Sequence, residues 1–298
     1  MKKLIIYLII IGCADNEKIS YDSNNNIGTL ETLDIITWNI QNFPKNSVTT
    51  IQSVADIINN LNVDVIALQE IENENAFNSL IYQLGENWIG YRSGSPSSAY
   101  GELSYLINTD FINIFDIYTI LDEEEYYFSY RSPYVLEISF NNKSFVIINN
   151  HFKCCGDGIL DLNNYYDEEN RRFIATQLLH EYINNYYNQH NVIILGDLND
   201  SITDIENENV FMNILNDEYF LFTDTEIAYG SSSNWSYPTW PSHIDHIIIT
   251  NELFSEFSFE ESYVTTLKID EDLDGGWLEY EQNISDHRPL LLSLKMED

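Results

Sequence analysis

The sequence predicts an α/β domain, and three observations support this prediction. Short runs of β-branched and aromatic residues alternate with longer segments whose apolar residues recur at helical spacing. The chain has 298 residues, 44% of them hydrophobic, which suits one large domain or two small ones. After residue 32 there is no repeat, no long linker and no break in composition. We therefore expect one continuous domain over residues 32–298.

The predicted elements follow one another along this domain. The first three are a strand at 34–40 (DIITWNI), a helix at 48–61 and a buried strand at 63–68 (VDVIAL). Further strands are predicted at 103–107, 134–140, 144–150, 192–195, 244–250, 262–267 and 289–294, and further helices at 74–84, 168–187 and 207–216. Asn141-Asn142 is a tight-turn signal that predicts a hairpin between two of the strands. The acidic segment 268–283 predicts a loop.

The N-terminus predicts an export signal. Lys2 and Lys3 precede an apolar run over residues 4–11, which is too short to span a bilayer. The run ends in Gly12-Cys13 and resembles a bacterial lipoprotein box, in which Cys13 would be lipidated and become the mature N-terminus. An ordinary signal peptide with an incidental cysteine is the alternative.

The segment 14–31 is polar and Asn-rich, and predicts a flexible tether between the signal and the domain. We therefore expect an extracytoplasmic protein, periplasmic or on the cell surface. Its only membrane contact would be the N-terminal lipid. We also expect a monomer with no protein partner.

The charge of the chain restricts the functions to be considered. Thirteen Lys and Arg stand against 48 Asp and Glu, for a formal net charge of −35. This excludes a simple basic nucleic-acid binder, because Lys and Arg normally provide the attraction for phosphate. It does not exclude an enzyme that meets phosphate through a metal ion, whose charge can invert the local field.

Cys154 and Cys155 are adjacent in the sequence. A strained vicinal disulfide and a pair of small buried thiols both remain open for them. A zinc site is not expected, since the sequence has neither CxxC spacing nor a second cysteine pair.

Polar residues suited to metal or phosphate chemistry gather at the ends of predicted strands. In open α/β sheets, sites form in the crevices at strand ends. A single Asp after a strand is more often a turn former or a helix cap. Here six strand ends carry such residues, which are Asn39, Glu70, Asn150-His151, Asp197 with Asn199, Asp245, and Asp286-His287.

The six motifs that contain these residues resemble a known superfamily. In chain order they are TWNIQNF, ALQEIEN, NNHFK, ILGDLND, HIDHI and SDHRPL, spread from about residue 34 to residue 294. This series resembles the endonuclease/exonuclease/phosphatase superfamily, which is similar to pancreatic-type deoxyribonuclease. The resemblance implies a four-layer sandwich, with two mixed β-sheets packed face to face and helices outside. It also implies a divalent-metal-dependent phosphodiester hydrolase.

Three residues are candidate metal ligands. Hard cations such as Mg²⁺ and Ca²⁺ prefer carboxylate and amide oxygens. Glu70 is a carboxylate directly after a buried strand, and Asn39 and Asp286 offer further oxygens. The family pattern agrees with all three. The expected cofactor is Mg²⁺, with Ca²⁺ or Mn²⁺ as alternatives.

Two histidines are candidates for proton transfer, which phosphodiester hydrolysis requires at both the water and the leaving oxygen. We predict that His287 acts as general base, oriented by Asp245, and that His151 contacts the phosphate and acts as general acid. The resemblance implies that Glu102 is the carboxylate partner of His151. The sequence does not settle which histidine is acid and which is base.

The remaining candidates would act on the water or the phosphate. Asp197 would orient the water or bind a second metal, and Asn199 would donate its amide to a phosphate oxygen. Arg131, Arg171 and Lys153 are candidate phosphate contacts. For Arg131 the alternatives are a contact with Glu102 or a surface position at a strand start, and for Arg171 an ion pair with the acidic residues at its helix start.

These residues leave several functions open. A nuclease acting on DNA or RNA is the first. A phospholipid or sphingomyelin phosphodiesterase and a phosphatase share the fold. An inactive metal-binding surface module belongs to a different class. The aromatic stretch 233–243 could stack on bases, enter a lipid interface or form a packed loop.

Overall fold

The computed structural model describes residues 27–94 and 101–296. The predicted signal peptide, Cys13 and residues 14–26 of the predicted tether lie outside the described residues. Within the described ranges, no helix has both the length and the apolar character needed to cross a bilayer.

The described part of the chain contains two six-stranded sheets with helices on their outer faces. The strands are β1 (Thr32–Phe43), β2 (Val65–Ile71), β3 (Trp88–Arg92), β4 (Glu102–Asn108), β5 (Asn113–Thr119), β6 (Tyr134–Phe140), β7 (Lys143–His151), β8 (Asn191–Asp197), β9 (Phe220–Phe222), β10 (Asp245–Thr250), β11 (Tyr263–Thr266) and β12 (Leu290–Lys295). The helices are α1 (Ser47–Leu61), α2 (Glu74–Leu84), α3 (Glu168–Tyr186), α4 (Met212–Leu215), α5 (Thr225–Ala228), α6 (Phe254–Phe257) and α7 (Gly276–Asn283).

Both sheets are mixed. The first has the order β11-β12-β1-β2-β4-β3, and the second has the order β5-β6-β7-β8-β10-β9. At the centre of each sheet one pair runs parallel, β1 with β2 and β7 with β8, and the other pairs run antiparallel. The parallel strands end together, which brings the residues that follow them to one edge of the sandwich.

Three apolar clusters separate four layers. On β1, Leu33 and Ile35 point into the cluster between the two sheets, whereas Ile36 and Trp38 point into the cluster beneath α1, α2 and α7. This alternation is the period of two that a strand with two buried faces requires. A third cluster packs α3 against the outer face of the second sheet, with Leu179 among its residues. The four-layer sandwich implied by the sequence resemblance is therefore confirmed.

The strands that the sequence does not predict are edge strands. The sequence does not predict β3, β5 or β9, each of which lies at an edge of its sheet. Most β5 side chains are exposed or half-buried, so that its apolar pattern is weak. The Asn141-Asn142 hairpin is confirmed, since both residues have positive φ, 45° and 63°, as a type I′ turn requires.

Three boundaries differ from the prediction. The helix expected over 207–216 is reduced to α4. The expected loop 268–283 contains α7, because Tyr280 is fully buried and donates a hydrogen bond to the His287 carbonyl (2.7 Å). Residues 27–31, assigned to the tether, contact the domain, as shown by the bond from Asn62 Nδ2 to the Gly28 carbonyl (3.0 Å).

The buried carboxyl of Asp64, beside the start of β1, makes the folding stability dependent on pH. The backbone N–H of Asp34 donates to Asp64 Oδ2 (2.9 Å), and both side chains are buried. Burial, together with the Asp34 charge, raises the pKa of Asp64 to about 7. The folded protein therefore holds a proton that the unfolded chain releases near pH 4, and folding stability falls as pH rises from 4 through 7.

We expect Asp64→Asn to remove this loss of stability. The amide oxygen can accept the same hydrogen bond without carrying a charge. In urea unfolding, the variant should exceed the wild type in free energy of unfolding by a few kcal/mol at pH 8 and by much less at pH 5. The matched control is Asp56→Asn, on the exposed face of α1, which should show no such difference. Equal pH profiles for wild type and Asp64→Asn would disprove this account.

Candidate active site

One cleft collects residues from the ends of both sheets. Asn39 and Glu70 stand near the ends of the parallel strands β1 and β2, and His151 and Asp197 end the parallel strands β7 and β8. His151 and Asp197 are paired directly in the strand register. The cleft is lined by Asn39, Gln41, Asn42, Glu70, His151, Cys154, Cys155, Asp197, Asn199, Tyr237, Ser242, Ile244, Asp286 and His287.

A bulge at the end of β2 presents the Glu70 carboxylate to the cleft. The register of β2 shifts between Leu68 and Ile71, and Glu70 has a φ of 65°. Gly101 packs against this backbone, so that a Cβ at Gly101 would lie 2.6 Å from the Glu70 Cα. Only glycine allows that approach at a positive φ of 80°.

Two hydrogen bonds fix the Glu70 carboxylate. Oε1 accepts from Asn39 Nδ2 (3.2 Å) and Oε2 accepts from the Asn42 backbone N–H (2.8 Å). Asn39 Nδ2 also donates to Asp197 Oδ2 (2.9 Å), and its oxygen accepts from the Gln41 N–H (3.0 Å). Asn39 thus directs its amide hydrogens, rather than its oxygen, at the carboxylates.

Asp286 completes the acidic side of the cleft. Its Oδ2 accepts from Gln41 Nε2 (2.8 Å). Its Oδ1 is buried and has no hydrogen-bond partner among the described residues. Burial raises the pKa of Asp286. A buried carboxylate oxygen without a partner is costly, and a cation would remove that cost.

The donor set fits a hard divalent cation. Glu70, Asp197 and Asp286 supply carboxylate oxygens, which are the ligands that Mg²⁺, Ca²⁺ and Mn²⁺ prefer. Asn39 bonds two of these carboxylates, and its own role as a metal ligand stays a prediction. The ligand atoms of Asp197, Asp245 and His287 also lie within 4.8 Å of one another.

Asp245 and His287 form the predicted buried pair. Asp245 begins β10 opposite Asp197, and its Oδ2 lies 2.8 Å from His287 Nδ1. The imidazole Nε2 points into the cleft, 3.8 Å from Asp197 Oδ2 and 4.0 Å from Asp286 Oδ1. Burial alone would lower the pKa of His287, but the carboxylates of Asp245 and Asp197 raise it to about 10.

His151 faces the same acidic groups from the second sheet. Its Nε2 lies 3.5 Å from Asp197 Oδ2 and 4.0 Å from Glu70 Oε1. Burial and the nearby Arg131 guanidinium hold the pKa of His151 well below its usual range. Burial raises the pKa of Asp197 to about 7, against the opposing effect of His287. The two histidines therefore differ in protonation, with the charge on His287.

The loop after β8 places Asn199. The Asn199 N–H donates to Asp197 Oδ1 (3.1 Å), and Asn199 Nδ2 donates to the Phe152 carbonyl (3.3 Å). Gly196 precedes this loop at a φ of 144°, where a Cβ would lie 2.0 Å from the Asn150 carbonyl oxygen. The backbones of β7 and β8 therefore approach closely at Asn150 and Gly196. This approach lets the side chains of His151 and Asp197, which end the two strands, face the same cleft.

Comparison with known proteins agrees with this geometry. The sequence profile of the Endonuclease/Exonuclease/phosphatase family matches residues 36–287, most of the chain. The chain belongs to this family. A search of curated proteins finds no match. Members of the endonuclease/exonuclease/phosphatase family generally hydrolyse phosphoester bonds, so this chain has a phosphodiesterase/nuclease-type fold.

Solved structures share the fold at low sequence identity. D. rerio TDP2, in complex with a single-strand DNA product, aligns with a TM-score of 0.66 at 12% identity, over 89% of this chain and 99% of that one. Truncated Caenorhabditis elegans TDP2 aligns at 0.62 with 14% identity, over 89% and 98%. A family protein from Bacteroides thetaiotaomicron aligns at 0.61 with 14% identity, over 90% and 98%. At these identities the likeness shows a common fold.

Five predicted site residues of this family member do not line the cleft, and one of them, Asp245, reaches it through His287. Glu102 starts β4 and accepts a hydrogen bond from Arg92 Nη1 (2.7 Å), and no described contact joins it to His151. In the described structure Glu102 pairs with Arg92, on the neighbouring strand β3, and its implied role as the partner of His151 stays a prediction.

The three predicted phosphate-binding cations also bond elsewhere. Arg131 is buried and donates to the carbonyls of His151 and Phe152, so it supports the cleft from behind. The Arg171 guanidinium lies 4.3 Å over the Tyr126 ring and donates to the Tyr126 carbonyl. Lys153 Nζ donates to the Cys154 carbonyl (2.8 Å) at the rim. These are the contacts of the three side chains in the structure, and their phosphate role stays a prediction.

Three positions at the cleft were not found by sequence reasoning, and a fourth, Tyr237, was considered only as part of the aromatic stretch 233–243. Gln41 and Asn42 hold Asp286 and Glu70, and their positive φ values (39° and 50°) cannot be read from the sequence. The Tyr237 ring lies 4.7 Å from the His287 ring. Ser285 Oγ donates to the Asn39 carbonyl (2.6 Å) and accepts from the His287 N–H (3.0 Å). Their positions within the TWNIQNF and SDHRPL motifs were the available signal for Gln41, Asn42 and Ser285.

A second buried cluster, formed by Asp224, His243 and His246, is structural. Asp224 Oδ2 accepts from His243 Nε2 (3.0 Å) and His246 Nδ1 (2.6 Å), and His246 Nε2 bonds the Asp200 carbonyl (2.9 Å). His243 Nδ1 accepts from the Ser236 N–H (3.3 Å), so every ring nitrogen has a partner. Burial alone would lower the pKa of His246, but the Asp224 charge raises it above its usual value. The cluster is a buried ion pair rather than a metal site.

We expect Asp224→Ala to destabilise the fold strongly. The substitution leaves a buried imidazolium without its counter-ion, which costs about 3–5 kcal/mol. The half-exposed pair His180–Asp217 (2.7 Å) is the matched control, and Asp217→Ala should cost about 1 kcal/mol or less. Denaturant unfolding measures both values. Equal costs for the two variants would contradict the assignment of a buried ion pair.

Proposed function

We propose that this chain is a divalent-metal-dependent phosphodiesterase that acts on nucleic acid outside the cytoplasm. One observation carries the proposal. A single cleft unites the carboxylates of Glu70 and Asp286 with the buried Asp245–His287 pair and with His151. An inactive surface module would not be expected to keep this complete set.

Glu70 and Asp286 would hold the proposed cation, with Asp197 as a further carboxylate, and Asn39 fixes Glu70 and Asp197 by hydrogen bonds. When bound, such a cation neutralises charge on the phosphoryl oxygens and lowers the pKa of a bound water. Mg²⁺ is the proposed ion, and Ca²⁺ and Mn²⁺ are alternatives with the same ligand preference.

The side chains of the cleft would supply proton transfer, orientation of the water and contact with the phosphate. His287 Nε2 and His151 Nε2 face the cleft from different sheets, so one imidazole can take a proton from water while the other gives a proton to the leaving oxygen. Asp245 keeps His287 in one orientation and stabilises its imidazolium. Asp197 lies within 4 Å of both histidines, where it can orient the water. Asn199 would donate its amide to a phosphate oxygen.

A panel of substrates tests the proposal. The protein is incubated with Mg²⁺, Ca²⁺ or Mn²⁺, beside an EDTA control, and offered plasmid DNA, RNA, sphingomyelin and bis-p-nitrophenyl phosphate. EDTA-sensitive cleavage of DNA or RNA is expected. Metal-loaded, folded protein that cleaves none of these substrates would refute the proposal.

A lipid phosphodiesterase is the second candidate. Tyr237 and Ser242 line the cleft and are bridged to each other, and the loop between them carries Trp240, whose side chain is 75% exposed. An exposed tryptophan beside a cleft suits a membrane interface as well as a base. A preference for sphingomyelin over nucleic acid in the panel would establish this alternative.

Salt should raise the rate on long polyanions. The net charge of −35 repels DNA, and salt screens charges beyond a Debye length of about 8 Å at physiological ionic strength. At fixed Mg²⁺, we expect kcat/KM on DNA to rise several-fold between about 20 and 200 mM NaCl, whereas a basic nuclease loses affinity. The small diester bis-p-nitrophenyl phosphate serves as the control and should change little. A steep fall on DNA would contradict this prediction.

The proposed location rests on the N-terminal sequence alone. Cys13 after the apolar run would carry lipid, and residues 14–26 would link it to the domain. When a bacterium that produces the protein is fractionated, the wild type should be found with the membranes. The Cys13→Ala variant should be found in the soluble fraction. Identical fractionation of the two would refute the anchor.

A further inference from the structure

We infer that Cys154 and Cys155 form a reversible disulfide, which makes the rim of the cleft a redox modification site. This inference goes beyond the proposed hydrolysis and can be tested without it. Both cysteines are free thiols, both are exposed, and both line the cleft that holds Glu70 and His287.

The two sulfurs are already in contact. Cys155 Sγ donates a hydrogen bond to Cys154 Sγ, at 2.9 Å. Cys155 has a φ of 71°, so the backbone turns at this point and directs both side chains the same way. Joining them requires the sulfurs to approach from 2.9 Å to about 2.05 Å, with a local turn of the backbone.

The surroundings distinguish an attacking sulfur from a resolving one. The Lys153 ammonium lies 3.7 Å from Cys154 Sγ, and Glu168 Oε1 lies 3.8 Å from Lys153 Nζ. The hydrogen bond to Cys154 raises the pKa of the Cys155 thiol. Cys154 is therefore the nucleophile.

Oxidation proceeds by thiol–disulfide exchange with a low-molecular-weight disulfide such as oxidised glutathione. The Cys154 thiolate attacks one sulfur of that disulfide and releases one thiolate, leaving a mixed disulfide. Cys155, after losing its proton, attacks Cys154 Sγ and releases the second small thiolate. The protein loses two electrons and two protons, and the small disulfide is reduced to two thiols.

The product is strained, and this makes the step reversible. Adjacent Cα atoms are about 3.8 Å apart, below the usual 4.4–6.8 Å range across a disulfide. Strained, exposed disulfides have higher reduction potentials and are the labile ones. Reduction by a small thiol returns the open pair.

The pair is coupled to the cleft through Arg172. Arg172 Nη1 donates to the carbonyls of Lys153 (2.7 Å) and Cys155 (2.8 Å), and its Nε donates to Asp200 Oδ2 (2.7 Å). Asp200 directly follows Asn199 in the loop after β8. A turn of the Cys154–Cys155 backbone therefore shifts the buried Arg172 guanidinium. The same guanidinium bonds Asp200 in the loop that carries Asn199 into the cleft.

A redox titration with mass detection tests the inference. The purified full chain is equilibrated with mixtures of reduced and oxidised glutathione, free thiols are alkylated, and the chain is cut with trypsin. The peptide that begins at Cys154 is separate from the one with Cys13, since Lys18 and Lys153 are cleavage sites. The expected product is a Cys154 peptide that has lost two hydrogen atoms, resists alkylation, and recovers both thiols with dithiothreitol.

Two results would overturn the inference. One is alkylation of both cysteines at every glutathione ratio. The other is a stable glutathione adduct in the wild type without an internal disulfide, which is the result expected only of the Cys155→Ser control. Hydrolysis of bis-p-nitrophenyl phosphate tests the coupling. kcat/KM should fall several-fold on oxidation in the wild type and stay constant when both cysteines are serine, and a constant wild-type value would disprove the coupling.

Discussion

Replacing Glu70 by Gln should abolish metal-dependent hydrolysis while leaving the fold intact. Gln keeps the size of the side chain, and its one oxygen can still accept from either Asn39 Nδ2 or the Asn42 N–H, but it removes the negative charge that a divalent cation requires. The loss of metal-assisted charge stabilisation is several kcal/mol, which corresponds to about a thousand-fold or more in kcat/KM. Hydrolysis of bis-p-nitrophenyl phosphate across a range of Mg²⁺ concentrations measures it.

Glu72→Gln is the matched control for Glu70→Gln. Glu72 lies two residues further along, is exposed, and is not among the residues that line the cleft. The control removes the same formal charge close to the site and should keep most of the activity. Equal activity of Glu70→Gln and wild type would disprove the assignment of Glu70 as a ligand.

Replacing His287 by Ala should lower kcat/KM by about 10²–10⁴, the usual contribution of a positioned acid or base. Since the substitution leaves Asp245 buried without its partner, the fold is checked by circular dichroism, and His287→Gln provides a less disruptive second variant. His190→Ala is the control, because His190 is exposed and lies outside the cleft.

The Asp245–His287 pair also has its own test. Asp245→Asn keeps a hydrogen-bond partner near Nδ1 but removes the charge that stabilises the imidazolium. It should reduce activity less than His287→Ala does, and the double variant should lose little more than His287→Ala alone. Full activity in His287→Ala and His287→Gln would remove His287 from the mechanism.

The sequence predicted the central strands well because they are buried on both faces. β7, β8 and β10 each contain a short continuous apolar run, β1 is rich in β-branched and aromatic residues, and polar residues of the cleft lie at or near the ends of all four. Edge strands such as β5 carry no such signal, since one face meets solvent and their register depends on a neighbour. α7 was missed because its packing depends on Tyr280 contacting distant parts of the chain.

The same distinction applies to the site. Glu70, Asp197 and His287 follow or precede apolar strands in short motifs, so that their meeting at one sheet edge could be predicted. The partners of Arg131 and Arg171 could not be predicted, because both guanidinium groups bond backbone carbonyls that only the folded chain brings near. Cys154 and Cys155 entered the cleft through a turn at positive φ, which sequence does not reveal.

The most direct test of the central claim is metal reconstitution of the cleft. EDTA-treated protein is titrated with Mn²⁺, and bound metal and hydrolysis of bis-p-nitrophenyl phosphate are measured on the same sample. We predict that activity is absent without metal, rises together with bound Mn²⁺, and does not return in Glu70→Gln. Undiminished hydrolysis by metal-free protein, or equal recovery in Glu70→Gln, would contradict the account.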